Sequence, residues 1–194
     1  MPNSSDNKAH RSDSSTGGST IGVWLASAVI RWTIVAAVAV ALWLFYALSA
    51  SAEELSGKVV SVADGDTITV LSPSNKQHKV RLAGIDAPEK AQLYGQKSRE
   101  SLASMVAGRQ VIVEWHKRDQ YGRLVGKVIA NSHDVGLVQI ERGMAWHYKT
   151  YEREQRLEDA QIYADAEIEA KVVRRGLLAD LKPVPPWEWR RAQR

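Results

Sequence analysis

Five short segments of alternating apolar and polar residues predict strands, and a helical segment lies between the third and the fourth. Further helical segments follow the fifth strand. This order predicts an α+β domain, a five-stranded Greek-key β-barrel of the OB type with about three helices. An uncharged apolar segment precedes the domain and predicts contact with a membrane. An OB barrel is a binding scaffold, so the function has to be argued from individual residues.

The first three strands are predicted between residues 55 and 85. Apolar side chains alternate with polar ones there in three pairs, which are Val60 and Val62, Ile68 and Val70, and Val80 and Leu82. Gly65 and residues 72–77 supply the turns between them. Three antiparallel strands are the simplest arrangement of this segment.

The remaining strands follow one helix. Residues 94–107 carry apolar side chains at helical spacing, and Gly108 predicts the end of this helix. Residues 109–115 and 123–130 then predict the fourth and fifth strands, joined by a polar loop.

Two helices are predicted in the C-terminal third. A short one begins at residue 135 and stops at Gly143, and a long one runs from about 152 to 175 and ends at Gly176. The long helix has an apolar stripe that predicts its buried face, made of Leu157, Ala160, Ala164, Ile168 and Val172. The prolines in "LKPVPPWEWRRAQR" exclude a helix that runs through them.

The N-terminal part is predicted to contain two segments. Residues 1–21 are rich in Ser, Gly, Asn and Asp, which predicts a disordered tail. Residues 22–52 are predicted to be a transmembrane anchor or a signal segment, because residues 32–50 carry no charge and approach the roughly 20 residues that cross a bilayer. The domain itself is assigned to residues 53–194.

The fate of the apolar segment stays open between two alternatives. Small residues at Ala50 and Ala52 resemble a signal cleavage site, but the apolar run is longer than the roughly 7 to 15 residues of a signal core. Basic residues lie on its N-terminal side, so that end is expected in the cytoplasm. We therefore expect an exported domain on the periplasmic or extracellular side, either anchored in the membrane or secreted after cleavage near Ala52.

The composition limits the possible chemistry. The chain has no cysteine, which excludes disulfides, thiol catalysis and thiolate zinc sites. Its five histidines are scattered without a metal-binding spacing, so zinc is not expected. The net charge of +4 permits a polyanionic partner but does not demonstrate one.

Charged residues cluster near predicted strand ends in three stretches. These are "DGDT" with Asp64 and Asp66, "VRLAGIDAPE" with Arg81, Asp86 and Glu89, and "DQYGRLVG" with Arg123. Each residue alone has an ordinary structural explanation, such as a turn, a helix start or a surface ion pair. Together they match phosphodiester hydrolysis, which requires a hard cation, positive groups at the phosphate and a proton acceptor.

The residue types suit this chemistry. Carboxylates such as Asp66 and Asp86, supplied from separate strands, are oxygen ligands that Ca²⁺ prefers. Arg81 and Arg123 carry planar, permanently charged guanidinium groups that bind phosphate oxygens in pairs.

At these residues the sequence resembles the staphylococcal nuclease (thermonuclease) family. The resemblance extends from about Leu55 to Trp189, through "VADGDTITV", "VRLAGIDAPE", "YGQKSRESL", "DQYGRLVGKV", "RGMAWHYKTY" and "PPWEWR". It implies an OB fold with three helices and a Ca²⁺-dependent endonuclease that cleaves DNA and RNA. In that reaction water attacks phosphorus and the 5′ oxygen leaves, which gives 3′-phosphate products.

The resemblance also implies a role for each acidic residue. Asp66 and Asp86 correspond to carboxylate ligands of Ca²⁺, and the backbone carbonyl of Ala87 corresponds to a further ligand. Asp64 corresponds to a carboxylate that reaches the ion through water. Glu89 corresponds to the proposed general base, or to a residue that orders the attacking water.

Four further residues match positions that contact the substrate. The resemblance implies that Arg81 and Arg123 bind the phosphate and stabilise its transition state. It also implies that Tyr121 and Tyr151 contact the nucleotide.

Two other functions stay open. The domain could be a catalytically inactive OB-fold nucleic-acid-binding module tethered to the membrane, or an interaction protein that uses "PPWEWR" as a proline-rich ligand. Acidic residues at Asp66, Asp86 and Glu89 argue against a pure binding module, because carboxylates repel phosphate. We expect a monomer that acts on DNA and RNA, with membrane contact through residues 32–50 and no disulfide-linked partner.

Overall fold

The computed structural model describes residues 38–40 and 53–193. Residues 38–40 are helical. The predicted tail at 1–21 and the rest of the predicted anchor or signal segment, including the cleavage site near Ala52, lie outside the described residues. Among the residues that are described, no helix combines the length and the apolar character needed to span a bilayer.

A closed barrel forms the centre of the domain. The strands are β1 (Glu53–Val62), β2 (Thr67–Leu71), β3 (Gln77–Leu82), β4 (Ile85–Asp86), β5 (Gln110–Arg118), β6 (Leu124–Ala130), β7 (His133–Asp134) and β8 (Trp146–His147). The larger sheet has the order β3-β2-β1-β5-β6-β7, and the parallel pairing of β3 with β6 closes five of these strands into a barrel. Strands β4 and β8 form a separate two-stranded sheet. The predicted five-stranded barrel is confirmed.

Helices cover the barrel and extend beyond it. They are α1 (Gly95–Val106), α2 (Val135–Glu141), α3 (Leu157–Val172) and α4 (Pro186–Ala192), with 3₁₀ helices at Lys149–Glu154 and Gly176–Ala179. Helix α1 lies between the third and fourth barrel strands along the chain, as the sequence predicts. The predicted stop at Gly143 has φ of 62°, a left-handed conformation that favours glycine at helix ends. The predicted stop at Gly176 is wrong, because the long helix already ends at Val172 and Gly176 begins the next 3₁₀ helix.

The hydrophobic core joins the barrel interior to α1. The predicted alternation is confirmed in β2 and β3, where Ile68, Val70, Val80 and Leu82 are buried. Leu102 of α1 packs into the same core. Burial of these apolar side chains is the main favourable term in folding, and it fixes the strand ends that carry the charged residues.

Strand β1 departs from the predicted alternation at one residue. Val60 is 46% exposed, whereas its neighbour Val59 is buried. The pairing of β1 with β2 shifts register between Val59 and Ser61. Such a bulge places two residues opposite one and reverses the side-chain alternation, so the prediction of an inward Val60 is wrong.

Helix α3 is shorter than predicted and buries a different face. It begins at Leu157, after the 3₁₀ helix, rather than at residue 152. Three residues of the predicted stripe, Leu157, Ile168 and Val172, are exposed, and the buried residues are Ala160, Tyr163, Glu167 and Ala170. Glu167 tolerates burial because it accepts a hydrogen bond from the His147 backbone N–H and pairs with Lys171. Polar contacts therefore override the apolar pattern here.

The C-terminal tail ends in a helix that sequence reasoning missed. Helix α4 begins at Pro186, the last of the tail's prolines. Proline is well tolerated in the first turn of a helix, where its missing N–H would have no partner. The prolines therefore precede this helix instead of preventing it.

Candidate active site

Barrel closure brings separate segments of the chain to one end of the domain. Asp64 and Asp66 lie in the turn between β1 and β2, and Arg81 lies in β3. Asp86 is the last residue of β4, and Arg123 directly precedes β6. The parallel pairing of β3 with β6 is the contact that joins the two arginine-bearing segments.

A cavity of about 330 Å³ lies at this end. It is lined by eight of the nine residues predicted for the site, which are Asp64, Asp66, Arg81, Ala87, Glu89, Tyr121, Arg123 and Tyr151. The ninth, Asp86, is only 1% exposed and accepts a hydrogen bond from Arg81 at 2.9 Å. The structure thus brings all nine residues together, although their individual roles stay predictions.

The turn that carries Asp64 and Asp66 is held tightly. The backbone N–H of Asp66 donates to Oδ1 of Asp64 at 3.1 Å. A Cβ at Gly65 would collide with the side chain of Ser98 in α1, so glycine is required for this close approach. The buried Gln139 donates to the Gly65 carbonyl at 2.9 Å. The turn is therefore fixed against the helices behind it.

Arg81 connects the two aspartates that were predicted as metal ligands. Its Nη1 donates to Oδ2 of Asp66 at 2.8 Å, and its Nη2 donates to Oδ1 of Asp86 at 2.9 Å. Asp66 also accepts from the Ala87 backbone N–H at 3.1 Å and from the Thr67 hydroxyl at 2.8 Å. Because the donors come from different segments, both carboxylates are oriented before any ligand arrives.

A third arginine enters the site from α4 and was missed by the sequence reasoning. Arg190 donates through Nη2 to Oδ2 of Asp86 at 2.7 Å and through Nη1 to Oε1 of Glu89 at 2.9 Å. Tyr148 also lines the cavity and was not predicted. Both residues lie within motifs that carry the resemblance, "PPWEWR" and "RGMAWHYKTY", and that membership was the available signal.

Arg123 is positioned by its own set of contacts. Its Nε donates to Oδ2 of Asp119 at 2.7 Å, and its Nη1 lies 3.4 Å from the Thr67 hydroxyl. The guanidinium also lies 5.4 Å from the ring centroid of Tyr121, which is 74% exposed. The pKa of Asp119 is below its usual value because the bonds to Arg123 outweigh the effect of burial. Arg123 therefore lines the cavity as a fixed cation.

Aromatic residues extend the site beyond the charged groups. The rings of Tyr148 and Tyr151 meet edge to face with centroids 5.3 Å apart. A second cavity of about 390 Å³ shares both tyrosines, Tyr121 and the two arginines Arg81 and Arg123 with the first. Exposed aromatic rings beside fixed cations are suited to nucleotides, because bases stack on aromatic faces.

The acids of the site, Asp64, Asp66, Asp86 and Glu89, outnumber the guanidinium groups that pair with them. Burial and the neighbouring Asp66 carboxylate raise the pKa of Asp64 to about 6. Burial also raises the pKa of Asp86, although Arg190 and Arg81 partly offset this effect. Arg81 forms ion pairs with Asp66 and Asp86, and Arg190 forms ion pairs with Asp86 and Glu89. Two guanidinium groups therefore serve a group of four carboxyl groups. The surplus favours binding of a further cation.

Comparison with known proteins identifies the family. The sequence model described as "Staphylococcal nuclease homologue" matches residues 79–180, more than half of the chain. The chain belongs to the staphylococcal nuclease family. Within this family match lie Arg81, Asp86, Glu89 and Arg123, whereas Arg190 lies beyond its C-terminal end.

Relatives of the staphylococcal nuclease family cover most of the chain. A protein of Haemophilus influenzae named "Uncharacterized endonuclease" is 40% identical over 154 residues, which are 79% of this chain and 83% of that protein. An Escherichia coli protein of the same name is 43% identical over 138 residues, 71% of this chain and 86% of that protein. The "Micrococcal nuclease" of Shigella flexneri is 39% identical over 168 residues, 81% of this chain and 92% of that protein.

Proposed function

We propose that the protein is a Ca²⁺-dependent endonuclease of the thermonuclease type that hydrolyses DNA and RNA and leaves 3′-phosphate ends. The observation that carries the proposal is the cavity that Arg81 and Arg123 line together with the carboxylates of Asp64, Asp66 and Glu89. Relatives named endonuclease or micrococcal nuclease, at 39% to 43% identity, support the same activity.

The donor set fits a calcium ion. Asp66 and Asp86 supply carboxylate oxygens, Ala87 supplies a backbone carbonyl and Asp64 is close enough to Asp66 to accept its N–H at 3.1 Å. Oxygen ligands of this kind suit Ca²⁺. Across residues 38–40 and 53–193, no three acidic or histidine side chains are already arranged to hold a metal ion. Arg81 and Arg190 form ion pairs with carboxylate oxygens of this donor set.

Each residue then has a task in hydrolysis. When bound, Ca²⁺ polarises a phosphoryl oxygen and orients water. Arg81 and Arg123 bind the phosphate oxygens and stabilise the negative charge that grows there. Glu89 accepts the proton of the attacking water or orders that water. The water oxygen bonds to phosphorus while the bond to the 5′ oxygen breaks, and the departing oxygen takes up a proton.

The alternative is an inactive nucleic-acid-binding module. The same cavity has the aromatic rings and cations that such a module needs, including Tyr121, Tyr148 and Arg123. Its buried acids favour the nuclease, since a module that only binds phosphate gains nothing from a surplus of carboxylates beside it. The position of Arg81 between two of these acids, Asp66 and Asp86, supports the same conclusion.

The test is cleavage by the full-length protein. Labelled single-stranded DNA and RNA are incubated with protein in Ca²⁺ or in EGTA, and the product ends are analysed. We expect cleavage of both substrates in Ca²⁺, none in EGTA, and products that a polymerase extends only after phosphatase treatment. Full activity in EGTA would contradict the metal requirement, and binding without cleavage in Ca²⁺ would favour the inactive module.

A pair of matched variants separates the site from the rest of the fold. Asp66→Asn removes a predicted ligand, whereas Asp165→Asn changes an exposed residue of α3. We expect cleavage by Asp66→Asn to fall at least a hundredfold, the scale seen when one stabilising group is removed from an active site. Cleavage by Asp165→Asn should equal that of the wild type.

We also propose that the domain is exported, as an anchored or a cleaved protein. The uncharged run at 32–50 and the small residues Ala50 and Ala52 support this proposal. Carbonate extraction of membranes and N-terminal sequencing of the native protein are the measurements. A soluble species that begins at Glu53 would contradict the anchor, and a full-length membrane-bound species would contradict cleavage.

A further inference from the structure

Helix α4 is fixed against the candidate site by aromatic packing. The ring of Trp187 meets Trp146 of β8 edge to face at 5.9 Å, and it stacks on Tyr148 at 5.5 Å with an interplanar angle of 27°. Pro186, the first residue of the helix, is buried. This packing places Arg190, one turn further along the helix, beside Asp86 and Glu89.

The segment before α4 is held as well. Gln92 is buried and donates through Nε2 to the Val184 carbonyl at 2.7 Å. The side-chain oxygen of Gln92 accepts from the Glu89 backbone N–H at 3.2 Å. One glutamine therefore links the C-terminal segment directly to the loop that carries Glu89.

Arg190 uses its guanidinium to bridge two acids. Its Nη2 lies 2.7 Å from Oδ2 of Asp86, and its Nη1 lies 3.3 Å from Oδ1 of Asp86 and 2.9 Å from Oε1 of Glu89. Asp86 is 1% exposed, whereas the Arg190 side chain is 37% exposed. Arg190 can therefore leave toward solvent, but Asp86 cannot.

The two arginines leave little of Asp86 for another ligand. Oδ1 accepts from both Arg81 and Arg190, and Oδ2 accepts from Arg190. Because a carboxylate oxygen offers about two acceptor positions, Oδ1 is filled and one position stays open on Oδ2, beside the Arg190 charge. A cation that takes more than this one position of Asp86 has to compete with Arg190. Arg81 cannot yield as easily, since it is also bonded to Asp66 and to the Ile85 carbonyl.

We propose that Arg190 is a positioning residue that aligns Asp86 and Glu89 and competes with the divalent cation for Asp86. This inference rests on the proposed metal-dependent function. It goes beyond the family match, which ends at residue 180. Its consequence is that Arg190 lowers the affinity for Ca²⁺ and couples the C-terminal helix to metal binding.

The experiment measures Ca²⁺ binding without nucleic acid. The full-length wild type, Arg190→Gln and Arg191→Gln are titrated with Ca²⁺ by calorimetry at slightly alkaline pH. Arg191 is the matched control, because it is exposed, adjacent on the same helix and carries the same charge. We expect Arg190→Gln to bind Ca²⁺ on the order of tenfold more tightly, as removal of a nearby positive charge predicts. Arg191→Gln should stay within about twofold of the wild type, since exposed charges are strongly screened.

Several results would overturn the inference. Equal or weaker binding by Arg190→Gln would mean that Arg190 only supports the fold. If Arg190→Gln fails to fold, Arg190→Lys keeps the charge but cannot bridge both acids, and affinity no higher than that of the wild type would contradict the proposal. No Ca²⁺ binding by any of the proteins would overturn the proposed function and the inference with it. If the wild type binds Ca²⁺ and Arg190→Gln binds it with the same affinity, the inference about Arg190 is wrong but the proposed function stands.

Discussion

Two clusters of charged residues differ in the surroundings of their carboxylates. The site cluster comprises Asp64, Asp66, Arg81, Asp86, Glu89, Arg123 and Arg190. The capping cluster at the start of α2 comprises Lys127, Asp134, Asp159 and Tyr163. In the site cluster most charged groups line a cavity of about 330 Å³, whereas the capping cluster joins β6, α2 and α3 within the fold.

In the capping cluster, the charged side chains bind other residues of the fold. Asp134 accepts from the backbone N–H groups of Gly136 and Leu137 at the start of α2 and from the Tyr163 hydroxyl. Burial and the Asp134 carboxylate hold the pKa of Tyr163 well above its ordinary value, so its hydroxyl remains a donor. Lys127 lies 2.7 Å from Asp159 and 3.4 Å from Asp134.

The difference separates a structural use of charge from a functional one. The Asp134 carboxylate accepts hydrogen bonds from backbone N–H groups and from the Tyr163 hydroxyl, and its charge stabilises the start of α2. At the site the carboxylates outnumber the guanidinium groups that contact them and lie beside open space. Substitutions in the site cluster should therefore change turnover or ligand binding, and those in the capping cluster should change stability.

The largest expected effect is that of Arg123→Ala. We expect kcat/KM to fall at least about a hundredfold, because a fixed cation at the phosphate is lost. The free energy of unfolding should change by less than about 1 kcal/mol, since the pair with Asp119 is partly exposed. Kinetics and thermal unfolding measure the two quantities, with the exposed Arg109→Ala as the control. If Arg123→Ala lowers the stability but leaves the turnover of the folded protein normal, Arg123 has a structural role like that of the capping cluster, and the prediction is wrong.

The second effect is a loss of stability in Asp134→Ala. The variant loses two hydrogen bonds at the start of α2 and leaves the buried Tyr163 hydroxyl without its acceptor. We expect the free energy of unfolding to fall by about 2 to 3 kcal/mol, with unchanged turnover of the folded protein. Urea unfolding is the measurement, and Asp134→Asn, which keeps one acceptor oxygen, should lose less. A selective loss of kcat would place Asp134 with the site instead.

The smallest effect concerns the pH dependence of Asp64. Its pKa is about 6 in the folded protein and close to 3.8 without the fold, so the folded state favours the protonated form. The stability from this preference is present below the unfolded pKa and is lost as pH rises through about 6. In EGTA, Asp64→Asn should be more stable than the wild type by about 1 kcal/mol near pH 8 and equal to it near pH 4. An equal difference at both pH values would show that Asp64 does not titrate in this range.

Much of the site could be predicted from the sequence because its residues lie in short motifs at strand ends. The nine predicted residues come together around one cavity, as expected once the barrel order is known. Arg190 also lies in a motif, "PPWEWR", but its approach to the acids depends on the packing of Trp187 against Trp146 and Tyr148. Such long-range aromatic contacts leave no periodic signal in the sequence.

The sequence by itself determined the barrel, the helix between its third and fourth strands, and the acids and arginines of the candidate site. These features depend on local alternation, turn residues and motif spacing, which are properties of neighbouring residues. Only the tertiary structure decided the inward face of β1, the buried face of α3 and the place of Arg190. Each of these depends on contacts between distant segments, where a bulge, a hydrogen bond to a buried glutamate or an aromatic stack outweighs the local pattern.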